Sequence, residues 1–148
     1  MAKLHNTIKI NAPLDKIWSV LTDLESIQYY SKTVKSARYI SKNKTGVGSA
    51  RECEILPKGK VKERVTSAEP KKSISFELYE SDWPLVFMRW TTSLKKDGDG
   101  TIVSADTEYK LKYGIIGQLT DSLIMKRKFH KIIDEVFENM KKYIENKM

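Results

Sequence analysis

A chain of 148 residues with 40% hydrophobic residues is long enough to bury a sizeable core, and one domain spanning residues 1–148 is expected. No apolar run approaches the roughly 20 residues that cross a bilayer, and the N-terminus, MAKLHNTIKI, does not read as a signal peptide. The single cysteine, Cys53, excludes an intrachain disulfide, and with only His5 and His130 available neither a metal site nor a cofactor is expected.

A soluble cytoplasmic protein is therefore the starting expectation. The net charge of +8 raises nucleic acid as a partner. Yet the lysines are spread along the chain and alternate with Asp134, Glu135, Glu138 and Glu145 near the C-terminus, so no nucleic-acid partner is expected. The densest cluster, Lys126, Arg127, Lys128 and Lys131, is a weak pointer to an anionic membrane or a phosphate.

In chain order, Leu4, Asn6, Ile8 and Ile10 alternate with Thr7 and Lys9, which predicts a half-buried strand. Asn11 or Ala12 near a cap, with Pro13 in the first turn, predicts a short helix carrying Leu14, Ile17, Trp18 and Leu21. Asp23 to Ser26 breaks it and opens a second short helix with Ile27, Tyr29 and Tyr30. Six strands follow at about Val34–Ser41, Ser49–Ile55, Val61–Ala68, Ser73–Tyr79, Val86–Lys95 and Thr101–Tyr113. Gly46/Gly48, Pro57-Lys58-Gly59, Pro70 and the Asp97–Gly100 run supply the turns. Short connections imply an antiparallel meander.

From Ile115 to about Asn146 the spacing predicts one long helix. Leu119, Leu123, Phe129, Ile132, Ile133, Val136, Phe137, Met140 and Ile144 form its apolar stripe, which packs on the sheet. A helix that long in so small a chain needs a large surface to lie on, and a curved sheet gripping it can enclose a cavity.

Strand alternation assigns faces. Ile74, Phe76 and Leu78 point toward the helix, as do Met88, Trp90, Thr92 and Leu94, and Val103, Ala105, Thr107, Tyr109 and Leu111. Arg51, Cys53 and Ile55 share one face, and Val61, Glu63 and Val65 another. Arg51 and Glu63 lie equally far either side of Pro57, so a tight hairpin sets them opposite each other, both inward. Isolated buried charge is very costly, so each needs the other or a polar ligand group. Two readings stand side by side: a mutually satisfied pair that only shapes a pocket, and a polar anchor that orients an apolar ligand. A one-residue slip of the hairpin turns both charges to solvent.

The order of elements meets specific wording. Ile10-Asn11-Ala12-Pro13 with Ile17-Trp18 and Leu21-Thr22-Asp23 resembles the opening of the START-like, or SRPBCC, superfamily. Gly46-Val47-Gly48-Ser49-Ala50-Arg51, then Glu63-Arg64-Val65 and Glu69-Pro70, resemble its strands. Asp82-Trp83-Pro84-Leu85, the Gly98–Thr101 turn and Gly114-Ile115-Ile116-Gly117 are similar to its polyketide-cyclase/dehydrase-like branch. The resemblance covers essentially the whole chain and implies an α+β helix-grip fold: a curved antiparallel seven-stranded sheet around a long C-terminal helix, with two short N-terminal helices and an apolar cavity. The superfamily's carriers of lipids, sterols, hormones and quinones, and its cyclases, set only an expectation here.

The cavity wall so implied comprises Arg51, Cys53, Ile55, Glu63, Val65, Phe76, Leu78, Met88, Trp90, Thr107, Tyr109, Phe129, Ile133 and Val136. The function expected is binding, as carrier or sensor, of a small hydrophobic or lipid-like ligand by a monomer or homodimer that does not insert stably into a membrane. The alternative is a cyclase or dehydratase using Glu63 as acid or base. A third reading is an interaction module whose interior is filled by side chains. Trp83 and Tyr30 are placed near the mouth, where aromatics gate entry or plug the core.

Overall fold

Alternation in the first residues builds strand β1 (Ala2–Ile10), with Leu4, Asn6 and Ile10 buried and Lys3, His5 and Lys9 exposed. The computed structural model describes residues 2–112 and 118–146, with side chains in the second range from Leu123 onward. After β1 come α1 (Leu14–Thr22), α2 (Ile27–Tyr30), β2 (Val34–Tyr39), β3 (Ala50–Ile55), β4 (Lys60–Glu69), β5 (Ser73–Ser81), β6 (Leu85–Asp97), β7 (Gly100–Leu111) and α3 (Gln118–Asn146). The expected Gly114–Gly117 motif, Tyr113, the helix start at Ile115 and the Leu119 side chain lie outside the described residues. Elsewhere element ends differ from expectation by a residue or two, the usual uncertainty at fraying ends.

The strands form one curved antiparallel sheet in the order β1-β7-β6-β5-β4-β3-β2. β2 to β7 are the expected meander, while β1 leaves the chain order and pairs with β7, Ala2 opposite Tyr109 and Ile10 opposite Thr101. Asp97 and Gly100 close the β6–β7 hairpin, with Gly98 at φ +61 in the turn. Gly100 passes so close to β1 that an added Cβ would lie 2.9 Å from the Ile10 carbonyl oxygen, so only glycine fits the start of β7. Pro13 is the N-cap of α1 and not a first-turn residue, a shift of one position: its extended backbone (ψ 155°) turns its carbonyl to accept the Lys16 and Ile17 N–H groups.

The concave face is covered by α3 and the two short helices. Phe137, Met140 and Ile144 of α3 bury against Ile10, Ile17 and Val103, each such side chain contributing about 1.5–3 kcal/mol of apolar burial. Phe129 reaches a second cluster with Leu4, Cys53, Leu78 and Tyr109, and Leu24 joins Val65, Ile74 and Phe76 in a third. A polar seam ties α3 along β1. Asn6 Nδ2 donates to Asp134 Oδ1 at 2.7 Å and to the His130 carbonyl at 3.2 Å. Lys141 Nζ donates to the Lys9 carbonyl at 3.0 Å, and the Asn11 N–H donates to Glu145 at 2.8 Å. Among the described members of the expected α3 stripe, Leu123 departs from it and is 52% exposed.

Candidate functional site

The β3–β4 hairpin turns through Leu56 to Gly59, with Gly59 at φ +115 and the Ile55 N–H donating to the Gly59 carbonyl at 2.8 Å. That turn sets Arg51 opposite Glu63 in the strand register. Both side chains point into the concave face and are buried, 5% and 11% exposed. Arg51 Nε donates to Glu63 Oε1 at 2.8 Å, and Cys53 Sγ approaches the same oxygen at 3.9 Å. Arg51 also donates through Nη1 to the Leu24 carbonyl at 3.1 Å, and its guanidinium lies 5.0 Å over the Phe76 ring. Phe76 in turn stacks on Trp90 at 5.4 Å. A delocalised, planar cation suits this position, since it bonds along its edge and stacks on its face.

Across the sheet the same row continues from Glu63 through Leu78 and Met88 to Tyr109. The row therefore begins with a charged pair, crosses two apolar side chains and ends on a phenol. Successive strands lie about 4.8 Å apart, so pair and phenol are separated by roughly 14 Å along the sheet. Tyr109 packs edge-on against Phe129 of α3 with centroids 4.8 Å apart, and its buried hydroxyl has no hydrogen-bond partner among the described residues. A buried hydroxyl without a partner costs about 1–3 kcal/mol, so this atom is available to a polar group of a ligand or to a water. Met88, Trp90, Met125, Ile132 and Ile133 border the same cluster and remain only half-buried.

Burial, reinforced by the Glu63 charge, pushes the Cys53 thiol up to about 12, which makes it a small apolar filler and no nucleophile. For Arg51, burial is the largest single influence and works against the charge, but attraction to Glu63, Cys53 and Tyr30 together with the hydrogen bond to Glu63 outweighs it and holds the guanidinium above its ordinary value. Burial likewise raises the Tyr109 phenol, which remains protonated and able to donate. Tyr30 is also raised by burial, although Arg51 and a hydrogen bond with Ser26 pull the other way.

The expected wall residues fall into three neighbouring packing groups. Cys53, Ile55, Leu78, Tyr109 and Phe129 share a cluster that Met88, Trp90 and Ile133 border. Val65 and Phe76 sit with Leu24, and Trp90 touches this group as well. Val136 packs with Ile10, Ile17 and Val103, and Ile133 borders both this cluster and the first. Thr107 is buried on the row that holds Phe76 and Trp90.

Trp83 is half-buried in the β5–β6 turn against the first cluster. Tyr30 lies in the expected second helix, α2, where it is buried 5.8 Å from the Tyr143 ring of α3. His130 lies at the surface with Nε2 3.2 Å from the His5 carbonyl oxygen, away from the concave face.

Two partners of the site escaped sequence reasoning. The Leu24 backbone carbonyl binds Arg51, and the Tyr39 hydroxyl accepts the Leu24 N–H at 3.0 Å, so the α1–α2 connection is tied to the charged pair. Backbone groups leave no trace in a residue pattern. The structure also opens a groove of about 500 Å³ between α2 and the end of α3, lined by Tyr29, Tyr30, Lys32, Lys142 and Tyr143 among others. Tyr30 thus takes part both in this groove and in the electrostatic surroundings of Arg51. Among the described residues no group of His, Cys, Asp and Glu is placed to hold a metal ion, and no helix is long and apolar enough to cross a membrane.

Residues 1–145 match the model of a family described as polyketide cyclase / dehydrase and lipid transport. No curated protein matches the chain. Among solved structures, a START superfamily protein from Mycobacterium smegmatis superposes with a TM-score of 0.84 at 14% identity, covering 99% of each chain. The protein TTHA0849 from Thermus thermophilus gives 0.81 at 18% identity over 97% of each chain. The protein XoxI from Bacillus cereus gives 0.78 at 12% identity, over 97% of this chain and 96% of its own. At such identities the likeness is one of fold.

Proposed function

We propose that this chain, which belongs to the polyketide cyclase / dehydrase and lipid transport family, binds a small hydrophobic or amphipathic, lipid-like molecule between the concave sheet face and α3. It serves as a cytoplasmic carrier or sensor, as a monomer or homodimer. The observation that carries this reading is the row from Arg51–Glu63 across Leu78 and Met88 to the unpartnered Tyr109 hydroxyl. It has the polarity of an amphipathic ligand: apolar in the middle, with hydrogen-bonding groups at both ends. The half-buried Met88, Trp90, Met125 and Ile132 support a route inward.

Catalysis is the weaker reading. Glu63 Oε1 already accepts from Arg51, and neither histidine lies on the concave face. An acid or base needs a second group within hydrogen-bond reach of the reacting atoms, and Tyr109 stands across the apolar part of the row.

Native mass spectrometry of the protein isolated from its own cells, before and after solvent extraction, tests the proposal. A discrete extractable adduct is expected, and the Met88→Glu protein should carry it at about a tenth of the parent occupancy or less, since a charge in the apolar stretch must be desolvated on binding. Tyr109→Phe separates ligand from packing. Removing an unsatisfied hydroxyl should leave the empty protein as stable or about 1 kcal/mol more stable, while lowering adduct occupancy. An adduct-free parent that also fails to bind the amphipathic dye anilinonaphthalene sulfonate would overturn the reading in favour of a filled interaction module.

A further inference from the structure

The first turns of α3 carry a surface that packing does not explain. Leu123 is 52% and Ile124 56% exposed, whereas the described apolar residues farther along the helix are buried or half-buried. Beside them Lys126, Arg127, Lys128 and Lys131 are all exposed, and none has an ion-pair partner among the described residues. Leu123, Ile124, Arg127, Lys128 and Lys131 recur at three- and four-residue spacings, so they share one helical face. The sign of the charge then changes: Asp134, Glu135 and Glu138 are exposed on the next turns. Exposed apolar side chains and a run of cations are thus adjacent between Leu123 and Lys131, ahead of the carboxylates of the following turns.

We propose that this end of α3 docks the protein peripherally on an anionic phospholipid surface, with Leu123 and Ile124 entering the headgroup boundary and Arg127, Lys128 and Lys131 of the same face meeting lipid phosphates. A bilayer interface rewards both features at once, apolar insertion and charge attraction. A nucleic acid would engage only the cations: it offers nothing to exposed leucine and isoleucine, and the described part of this face has no aromatic ring on which a base could stack. The opposite face of the same turns holds Met125 and Phe129, which border the candidate ligand row. The docking face does not depend on what the interior binds.

Co-sedimentation of the full chain with vesicles tests this. Binding is expected to phosphatidylcholine vesicles containing phosphatidylglycerol, not to phosphatidylcholine alone, and it should weaken as salt is raised. Arg127→Glu with Lys128→Glu should reduce binding about tenfold or more, because each cation near an anionic surface contributes several-fold to affinity. Leu123→Ser with Ile124→Ser should also weaken it while retaining the salt dependence. Both pairs are exposed, so thermal stability should not change, and a misfolded variant would be visible there.

Equal binding to neutral vesicles, variants that bind like the parent, or binding to single-stranded RNA with no binding to vesicles would each overturn the proposal. A parent that keeps its extractable adduct yet ignores vesicles loses only the docking face. One that docks without an adduct loses only the ligand reading.

Discussion

Arg51→Met is expected to destabilise the protein by about 3–5 kcal/mol, because it leaves the Glu63 carboxylate buried without its counter-charge. The substitution keeps an apolar stem over Phe76 but removes the donors to Glu63 and to the Leu24 carbonyl, so the α1–α2 connection loses its tie to the sheet. At about 2–4 °C per kcal/mol for a chain of this size, the thermal midpoint should fall by roughly 6–20 °C. Glu63→Leu in the same background should restore most of the loss, since a buried ion pair exchanged for apolar side chains of similar volume is often neutral or stabilising. Urea denaturation of the parent, both single variants and the double variant gives the cycle. A loss below about 1 kcal/mol for Arg51→Met is what an exposed pair would give, and it would contradict the buried geometry. A double variant as stable as the parent but without the extractable adduct would assign the pair to ligand binding. One that keeps the adduct would leave it a purely structural brace.

Met140→Ala is expected to cost about 2–5 kcal/mol, the range for deleting a buried side chain that leaves a cavity its neighbours cannot fill. Met140 is 1% exposed, in the cluster that joins Ile10 and Val103 of the sheet edge to Phe137 and Ile144 of its own helix. Those strands are fixed by their ladder, so collapse around the gap is limited. Leu123→Ala, a truncation of similar size on the same helix, should change stability by no more than about 0.5 kcal/mol, because its side chain is half in solvent already. Thermal or urea unfolding of the two variants side by side checks both statements. Similar losses would mean that the first turns of α3 are buried like the rest, and the docking face would fall with them.

Most of the sheet was legible because its inner face is apolar and its outer face charged. Where Ile74, Phe76 and Leu78 alternate with Ser75 and Glu77, a period of two leaves one choice of face. The Arg51–Glu63 pairing was legible for a different reason: a short turn around Pro57 fixes which residues meet, and the observed register is the symmetric one. The long helix was legible from its stripe, but the stripe counted Leu123 as core. Periodicity tells which side of a helix is apolar and nothing about where the supporting surface ends. Tyr30 falls in the expected helix, but a sequence does not say that Tyr143 will come to lie against it.

By itself, then, the sequence determined the local periods, the turn positions and, through them, the faces of the strands and the meeting of Arg51 with Glu63. These depend on residues close in the chain, where geometry has few alternatives. Only the tertiary structure decided the rest. β1 closes onto β7, the Leu24 carbonyl reaches Arg51, the Tyr109 hydroxyl has no partner among the described residues, and Leu123 and Ile124 are exposed beside four cations. Each of these joins groups remote in sequence or depends on where a surface ends, and backbone atoms and boundaries carry no residue code.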